Sequence, residues 1–429
     1  MSECNDFIIS DGILKKYCGS GGSVTIPDSV WSIGKKAFAD CTELKCVTFP
    51  ASVTRIGEAA FFGCTSLTEL NLPASLTFIG NYAFVGCAEL AHITVQAGNP
   101  TYHSVDDCLI ETRTKVLLMG CQNSIIPADG SVVRIAHSAF RSRTGVTHVT
   151  VPDTVIQMGY AVFADCVDLV SVFLPDSIMA LGESIFAGCT SLTEVKLPAS
   201  IPFINAGMFE RCTSLTDIAI PSSVKVIESD AFYQCTALRA LSLPDSLETI
   251  ESCAFSFCSA LTEIRLPALV SAVDDEAFQK CVGLERITVD PANPNYHTAG
   301  NCLIDTRTHR LLYGFENSVI PTDGSVTYIA DSAFRGCALT ELIIPDTVTY
   351  IGWSAFRDCV GLTSLLIPES VTCIRSLAFA GCRGLTSVEV PKADIDVSEY
   401  AFKGCTNLTH VKKGDQLIPI SRYVKKDAF

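Results

Sequence analysis

Nowhere in its 429 residues does the chain carry an apolar run of about 18, so no segment can cross a bilayer as a helix. It opens MSECNDFIIS, without the basic stretch and apolar core of a secretory leader. A cytoplasmic location is therefore expected, with the cell surface as the alternative if a leader precedes this segment. Histidines number only seven, and none falls in an H-x-x-x-H or H-x-x-E spacing. There is no Walker loop, no Rossmann glycine fingerprint and no G-x-S-x-G elbow. No cofactor, metal or catalytic residue is assigned, and an enzyme is not expected. Basic residues are also short, 31 Lys and Arg against 46 Asp and Glu, for a net charge of −15. That balance argues against nucleic acid, whose phosphates are bound by such cations. It keeps an apolar-rich body soluble and gives any partner a preference for basic character. The one basic cluster is terminal (Lys412, Lys413, Arg422, Lys425, Lys426) and is expected to form a solvated end cap.

What the chain does have is a period. Phenylalanine recurs at 38, 61 and 84, then from 140 to 278 at every 23rd residue, then at 334, 356, 379 and 402. Ten of the thirteen gaps are 23 residues, one is 22 and two are 56. A period of this size is the mark of a solenoid, whose units bury their apolar faces only on each other.

One clear copy, Leu67 to Ala88, reads LTELNLPASLTFIGNYAFVGCA. Leu67, Leu70 and Leu72 have the L-x-x-L-x-L spacing of a strand whose alternate residues point inward. Pro73 ends that strand because it has no N–H for a ladder, and a proline recurs at this position from Pro27 to Pro391. A second short extended piece follows, with Leu76 and Ile79 inward. Glycine often comes next (Gly34, Gly57, Gly80, Gly159, Gly182, Gly352), as suits a sharp turn. NYAFVGC is then expected to make a tight helical turn that buries Ala83, Phe84 and Cys87. Val162, Ile185 and Met208 replace the small residue before the phenylalanine in three consecutive rungs, which predicts slightly wider spacing or a repacked core there.

The pattern LTEL-LP-SLT-IG-AF-GC resembles the BspA-type leucine-rich repeat, and the likeness runs from Ile26 to about Val411. The resemblance implies a repeat solenoid, mainly β with short helical or 3-10 turns: a curved leucine-rich-repeat stack of about sixteen rungs with two β-hairpin inserts. Residues 1–25 would form an N-terminal hairpin cap, 26–411 the solenoid, and 412–429 a C-terminal cap or degenerate rung. Members of the family resemble one another as surface adhesins and interaction proteins of host-associated microbes.

The chain has 21 cysteines, and thirteen stand three residues after an anchor phenylalanine. Stacking places those thirteen in one interior column as small apolar residues with a weak S–H donor, not as disulfide partners. The other eight are Cys4, Cys18, Cys46, Cys108, Cys121, Cys253, Cys302 and Cys373; of these Cys46 is expected at an outward position. The fourteenth column position is Arg143, whose charge cannot be buried unpaired, so the turn there is expected to bulge outward.

Each 56-residue gap is one unit plus 33 residues, placed at about 96–128 and 290–322. The two inserts match at an offset of 194, pairing Asn99 with Asn293, Tyr102 with Tyr296 and His103 with His297. CLIETRTKVLLMG has two apolar runs around a polar tetrapeptide and predicts a β-hairpin. FIISDGILKKY, at the chain start, has the same form with an Asp11-Gly12 turn. His103 and His297 are read as packed beside a turn, because the carboxylates near the first are not reproduced near the second.

A partner surface is expected on the outward side of the first strand, as a continuous sheet face. One outward column holds Phe173, Lys196, Arg265, Ile343 and Leu366, and the next holds the acidic Glu69, Glu194, Asp217, Glu263 and Glu341. The leading reading is a non-enzymatic scaffold that binds a protein or peptide, with a monomer favoured. The alternatives are a cell-surface adhesin and, last, an enzyme using an exposed thiol such as Cys46, for which no activating base is evident.

Overall fold

The computed structural model describes residues 6–390 and 394–423. Cys4, Pro391, Lys425, Lys426 and the terminal Ala428-Phe429 lie outside the described residues, as does the side chain of Arg422. The chain forms two compact units, Met1–Pro221 and Ser222–Phe429. It is a β-solenoid of about 17 turns, and no α-helix occurs among the described residues.

Each ordinary rung contributes to two parallel sheets. In the first unit the longer strands Gly22–Thr25, Leu44–Thr48, Glu69–Leu72 and His92–Val95 stack in register, with Leu70 opposite Val47 on one side and Ile93 on the other. Leu70 and Leu72 are buried while Glu69 and Asn71 are exposed, as the alternation requires. Two-residue strands form the second sheet, with Ile33, Ile56 and Ile79 aligned across it. The second unit repeats this, for example in Glu263–Leu266 beside Arg286–Val289 and in Ile329, Ile351 and Ile374.

The turn at each anchor phenylalanine is not helical. At twelve of the fourteen anchors the residues two before and two after the ring take positive φ, for example 53° at Ala59 and 70° at Gly63. Alternate N–H groups then serve different purposes. Those of Ala60, Phe62 and Cys64 close turns inside the rung, onto Gly57, Ala59 and Phe61. Those of Ala59, Phe61 and Gly63 reach the carbonyls of Asn81, Ala83 and Val85 on the next rung, at 2.8–2.9 Å. An α-helix would spend every N–H on its own segment and leave none to hold its neighbour. The glycines after the inward isoleucine also have a different reason from a turn. Gly57 and Gly80 lack positive φ. A Cβ at Gly80 would stand 2.4 Å from the Glu58 nitrogen, so glycine there lets adjacent backbones touch.

Inside, the phenylalanine rings stack face to face, with centroids 4.8 Å apart at Phe38–Phe61 and 5.4 Å at Phe61–Phe84. The spacing is wider, 5.9 Å, at Phe163–Phe186, beside Val162 and Ile185. Beside the rings runs the sulfur column. Eleven of its thirteen cysteines are buried, and all 20 described cysteines are free thiols. The thiols donate to the phenylalanine carbonyl of the preceding rung: Cys64 to Phe38 at 3.1 Å, Cys189 to Phe163 at 3.1 Å, Cys382 to Phe356 at 3.1 Å. The Phe38 carbonyl also accepts the Cys41 N–H, so both its lone pairs are used. Burial pushes the Cys166 thiol up to about 12, which keeps it a neutral donor.

Each insert has three strands, one more than the hairpin expected from its sequence. Tyr102–Val105, Cys108–Glu111 and Val116–Gly120 run antiparallel, as do Tyr296–Ala299, Cys302–Asp305 and Arg310–Tyr313. The extra strand comes from the N-P-x-Y-H segment. There the Asn99 side chain accepts the N–H groups of Thr101 and Tyr102, and the Tyr102 hydroxyl accepts the Ile79 N–H. The last insert strand then joins the short-strand sheet, Leu117 beside Ile135. The N-terminal hairpin does the same, Leu14 beside Ile33, through a turn with positive φ at both Asp11 and Gly12. Gly120 occupies the place of a ring, and a Cβ there would sit 1.9 Å from the Phe140 ring.

Arg143 does not bulge outward. It is buried, and its guanidinium donates to the carbonyls of Gly120 (3.0 Å), Cys87 (2.8 Å) and Phe84 (3.2 Å). The insert interrupts the stack and leaves the Phe84 carbonyl without the thiol of a following rung. A long cation bridges the gap that a cysteine could not.

Candidate functional site

The strand face is assembled from the longer strands, and it is not continuous. In the first unit Thr150, Phe173 and Lys196 are register partners, as are His148, Ser171 and Glu194. The segment around Asp217 forms none of the longer strands. In the second unit Glu263 opposes Arg286 and Arg265 opposes Thr288, while Leu366 lines up with Glu389 and then Lys412. Glu341 and Ile343 lie on a segment without strand pairing. That rung spans the 22-residue gap between Phe334 and Phe356, with one residue fewer between Cys337 and Leu339 than in the other rungs. Phe173 belongs to the first unit, Ile343 and Leu366 to the second.

Electrostatically, the face partly neutralises itself. Glu263 pairs with Arg286, Arg265 with Asp290, and Glu389 with Lys412 at 2.5 Å. These are exposed pairs, worth about 0–1 kcal/mol each. Glu69, Glu194, Asp217 and Glu341 have no basic group within 4 Å among the described residues. The threonines beside them are structural: Thr68 and Thr193 donate to the Lys45 and Val170 carbonyls of the preceding rung, both at 3.3 Å. The apolar members stand out of the stack, with Ile343 79 % and Leu366 58 % exposed against 36 % for Phe173.

Other candidate groups have structural partners. His103 is hydrogen-bonded to Thr112 and His297 to Thr306, both at 2.8 Å across the first two strands of their inserts. Among the described residues no three His, Cys, Asp or Glu side chains are grouped to hold a metal ion. Cys46 is half-buried and donates to the Glu69 carboxylate at 3.4 Å. Partial burial, with that carboxylate, raises its thiol above the ordinary range, the opposite of what a nucleophile needs. Cys373 is raised likewise, by burial and then by Asp396.

Two clefts, not evident from the sequence, open where the inserts interrupt the stack. One of about 180 Å³ in the first unit has Tyr82, His137, Tyr160 and Arg143 on its wall. One of about 440 Å³ in the second unit is lined by Phe278, Cys281, Gly314, Glu316 and Cys337 among others. Their signal in the sequence is confined to the positions, thirteen of 34, at which the two duplicated inserts differ.

The repeat geometry has a match among known families. The BspA-type leucine-rich repeat region matches residues 8–112, 115–239, 225–302 and 312–427. The chain belongs to the BspA-type leucine-rich repeat family. Among solved structures, this BspA-type chain is similar to a leucine-rich repeat protein from Bacteroides ovatus, at 22% identity over 95% of this chain and 94% of that one, with a TM-score of 0.51. It is similar also to one from Eubacterium ventriosum, at 23% identity over 62% and 77%, with a TM-score of 0.52. A leucine-rich cell surface protein from Faecalibacterium prausnitzii aligns over 99% and 96% at 22% identity, with a TM-score of 0.41. No curated protein matches in sequence. At these identities the likeness establishes the fold alone.

Proposed function

We propose that this BspA-type chain is a protein-interaction scaffold that binds a protein or peptide of basic character through the outward face of its longer strands. The observation that carries this reading is the exposure of Ile343 and Leu366, bulky apolar residues at the same position of successive rungs. Apolar contacts of this kind, rimmed by polar residues, mark interaction sites. Glu341 near Ile343, and Glu69, Glu194 and Asp217 elsewhere on the face, none with a basic group within 4 Å among the described residues, would select a partner with Lys or Arg beside its apolar contacts. Phe173 and Lys196 supply the corresponding surface in the first unit, with Arg265 and Glu263 held in ion pairs at its margin in the second. The net charge of −15 favours the same kind of partner over nucleic acid.

Selection of binding peptides from a random display library tests this. The native chain is expected to enrich peptides carrying basic and apolar residues together. The triple variant Phe173→Ser, Ile343→Ser, Leu366→Ser should lose those peptides by about tenfold or more in affinity. Its stability should change by less than about 1 kcal/mol, because none of the three is a core residue. Full affinity in the triple variant would remove this face as the binding surface.

A further inference from the structure

Because the two inserts are copies offset by 194 residues, every position of one has a counterpart in the other. In the first unit the gap between the Phe84 and Phe140 turns is closed by Arg143, held by three carbonyl oxygens. Thr144 seals its mouth, with N–H and hydroxyl both donating to the Ala88 carbonyl at 3.2 and 3.0 Å. In the second unit the counterpart of Arg143 is Cys337, whose thiol reaches only the Gly314 carbonyl, at 3.5 Å. Ala338 stands for Thr144 and has no hydroxyl to give. The cleft of about 440 Å³ is what remains. Phe278, Cys281 and Gly314 on its wall are the counterparts of the three residues whose carbonyls hold the Arg143 guanidinium.

Two further positions change in the compensating direction. Glu316 stands where the first insert has Gln122, and Glu285 where it has Ala91, and both line the cleft. Glu316 lies close enough to Cys337 to add to burial in pushing that thiol up to about 12. The inner side of the gap is filled instead by Tyr313, the counterpart of Met119. Its hydroxyl accepts the Phe278 N–H at 3.2 Å and donates to the Asp274 carbonyl at 2.9 Å. Lys280 and Arg335 also border the cleft; the Lys280 ammonium lies over the Phe257 ring at 4.7 Å, and Arg335, whose buried Nε has no hydrogen-bond partner, has Arg357, Asp358 and Glu276 as its charged neighbours. A cationic guest is therefore assigned to the side of Glu316 and Cys337.

We infer that the cleft beside Cys337 receives a guanidinium group, from an arginine side chain of a partner or from a free guanidino compound. A planar fork of N–H donors is what three carbonyls placed as in the first unit accept, and a carboxylate beside them supplies the opposite charge. The inference rests on the two inserts and is independent of the strand face.

Isothermal titration of the full chain decides it, with N-acetyl-arginine amide, free arginine, the neutral isostere N-acetyl-citrulline amide, and succinate as an anion. The capped arginine is expected to bind at least about tenfold more tightly than the citrulline amide, and Glu316→Gln to weaken it by about the same factor. Cys337→Arg should fill the cleft from within and abolish binding. Capped arginine binding as well as free arginine supports a partner's side chain; much tighter binding of free arginine supports a small molecule. Equal binding of arginine and citrulline amides, binding of succinate instead, no binding of either arginine form, or unchanged binding by folded Cys337→Arg would overturn it.

Discussion

Arg143→Ala is expected to destabilise the first unit by about 3–5 kcal/mol, a large fraction of the stability of any domain of its size. The guanidinium is buried and donates to three carbonyls drawn from two sides of the gap. Truncation removes those charge-assisted bonds and leaves a cavity between the Phe84 rung and the insert strand. Each of the Phe84 and Cys87 carbonyls keeps one backbone donor, Cys87 and Leu90 respectively, so the loss is not the full cost of an orphaned carbonyl. Urea unfolding followed by fluorescence reads this directly, because Trp31 lies in the first unit and Trp353 in the second. The Trp31 transition should move to lower urea while the Trp353 transition stays. A loss below about 1 kcal/mol would mean that the arginine fills space without holding the insert in place.

Phe61→Ala should cost about as much, 3–5 kcal/mol, for a different reason. The ring is fully buried and lies between Phe38 and Phe84, with Phe49 edge-on at 5.9 Å. In a stack, stability is a sum of rung and interface terms, so one truncation weakens two interfaces at once. Phe84→Ala supplies the internal contrast. Its ring stacks on Phe61, and the insert stands where the next ring would be. It should cost less than Phe61→Ala by about 1 kcal/mol, the worth of one ring pair. Equal losses at the two positions would show that burial alone, and not stacking, sets the cost.

The 23-residue period made the fold legible, because every inward position repeats and errors at one rung are corrected by the others. Leu70, Phe61 and Cys64 could each be placed in the core from spacing alone. The turn at the phenylalanine was not legible as non-helical, since A-F-x-G-C has the composition of a helical turn. What decides its form is the need of Phe61 and Gly63 to bond the next rung, a demand that one rung read alone does not display. Arg143 failed for a related reason: its carbonyl partners Phe84 and Cys87 lie 59 and 56 residues away and come within reach only because the insert separates them from a following rung. The strand face was legible as a column of residues but not as separate blocks. The missing residue between Cys337 and Leu339 was visible in the 22-residue gap, but the absence of strand pairing at Ile343, shared by Asp217 in a rung of ordinary length, needed the structure. The cleft beside Cys337 was hidden because a duplication draws attention to what is the same, and its meaning lies in the positions that differ.

Successive rungs bury one ring column and one sulfur column against each other. Labelling the native protein with iodoacetamide, followed by peptide-resolved mass spectrometry, tests it most directly. Cys18 is exposed and Cys41, Cys46, Cys253, Cys337 and Cys373 are half-buried, whereas Cys64, Cys87, Cys166, Cys189 and their column mates are buried. The buried thiols should stay unlabelled until urea unfolds the chain and then react together. Prompt labelling of most of that column in the native protein would contradict the stack.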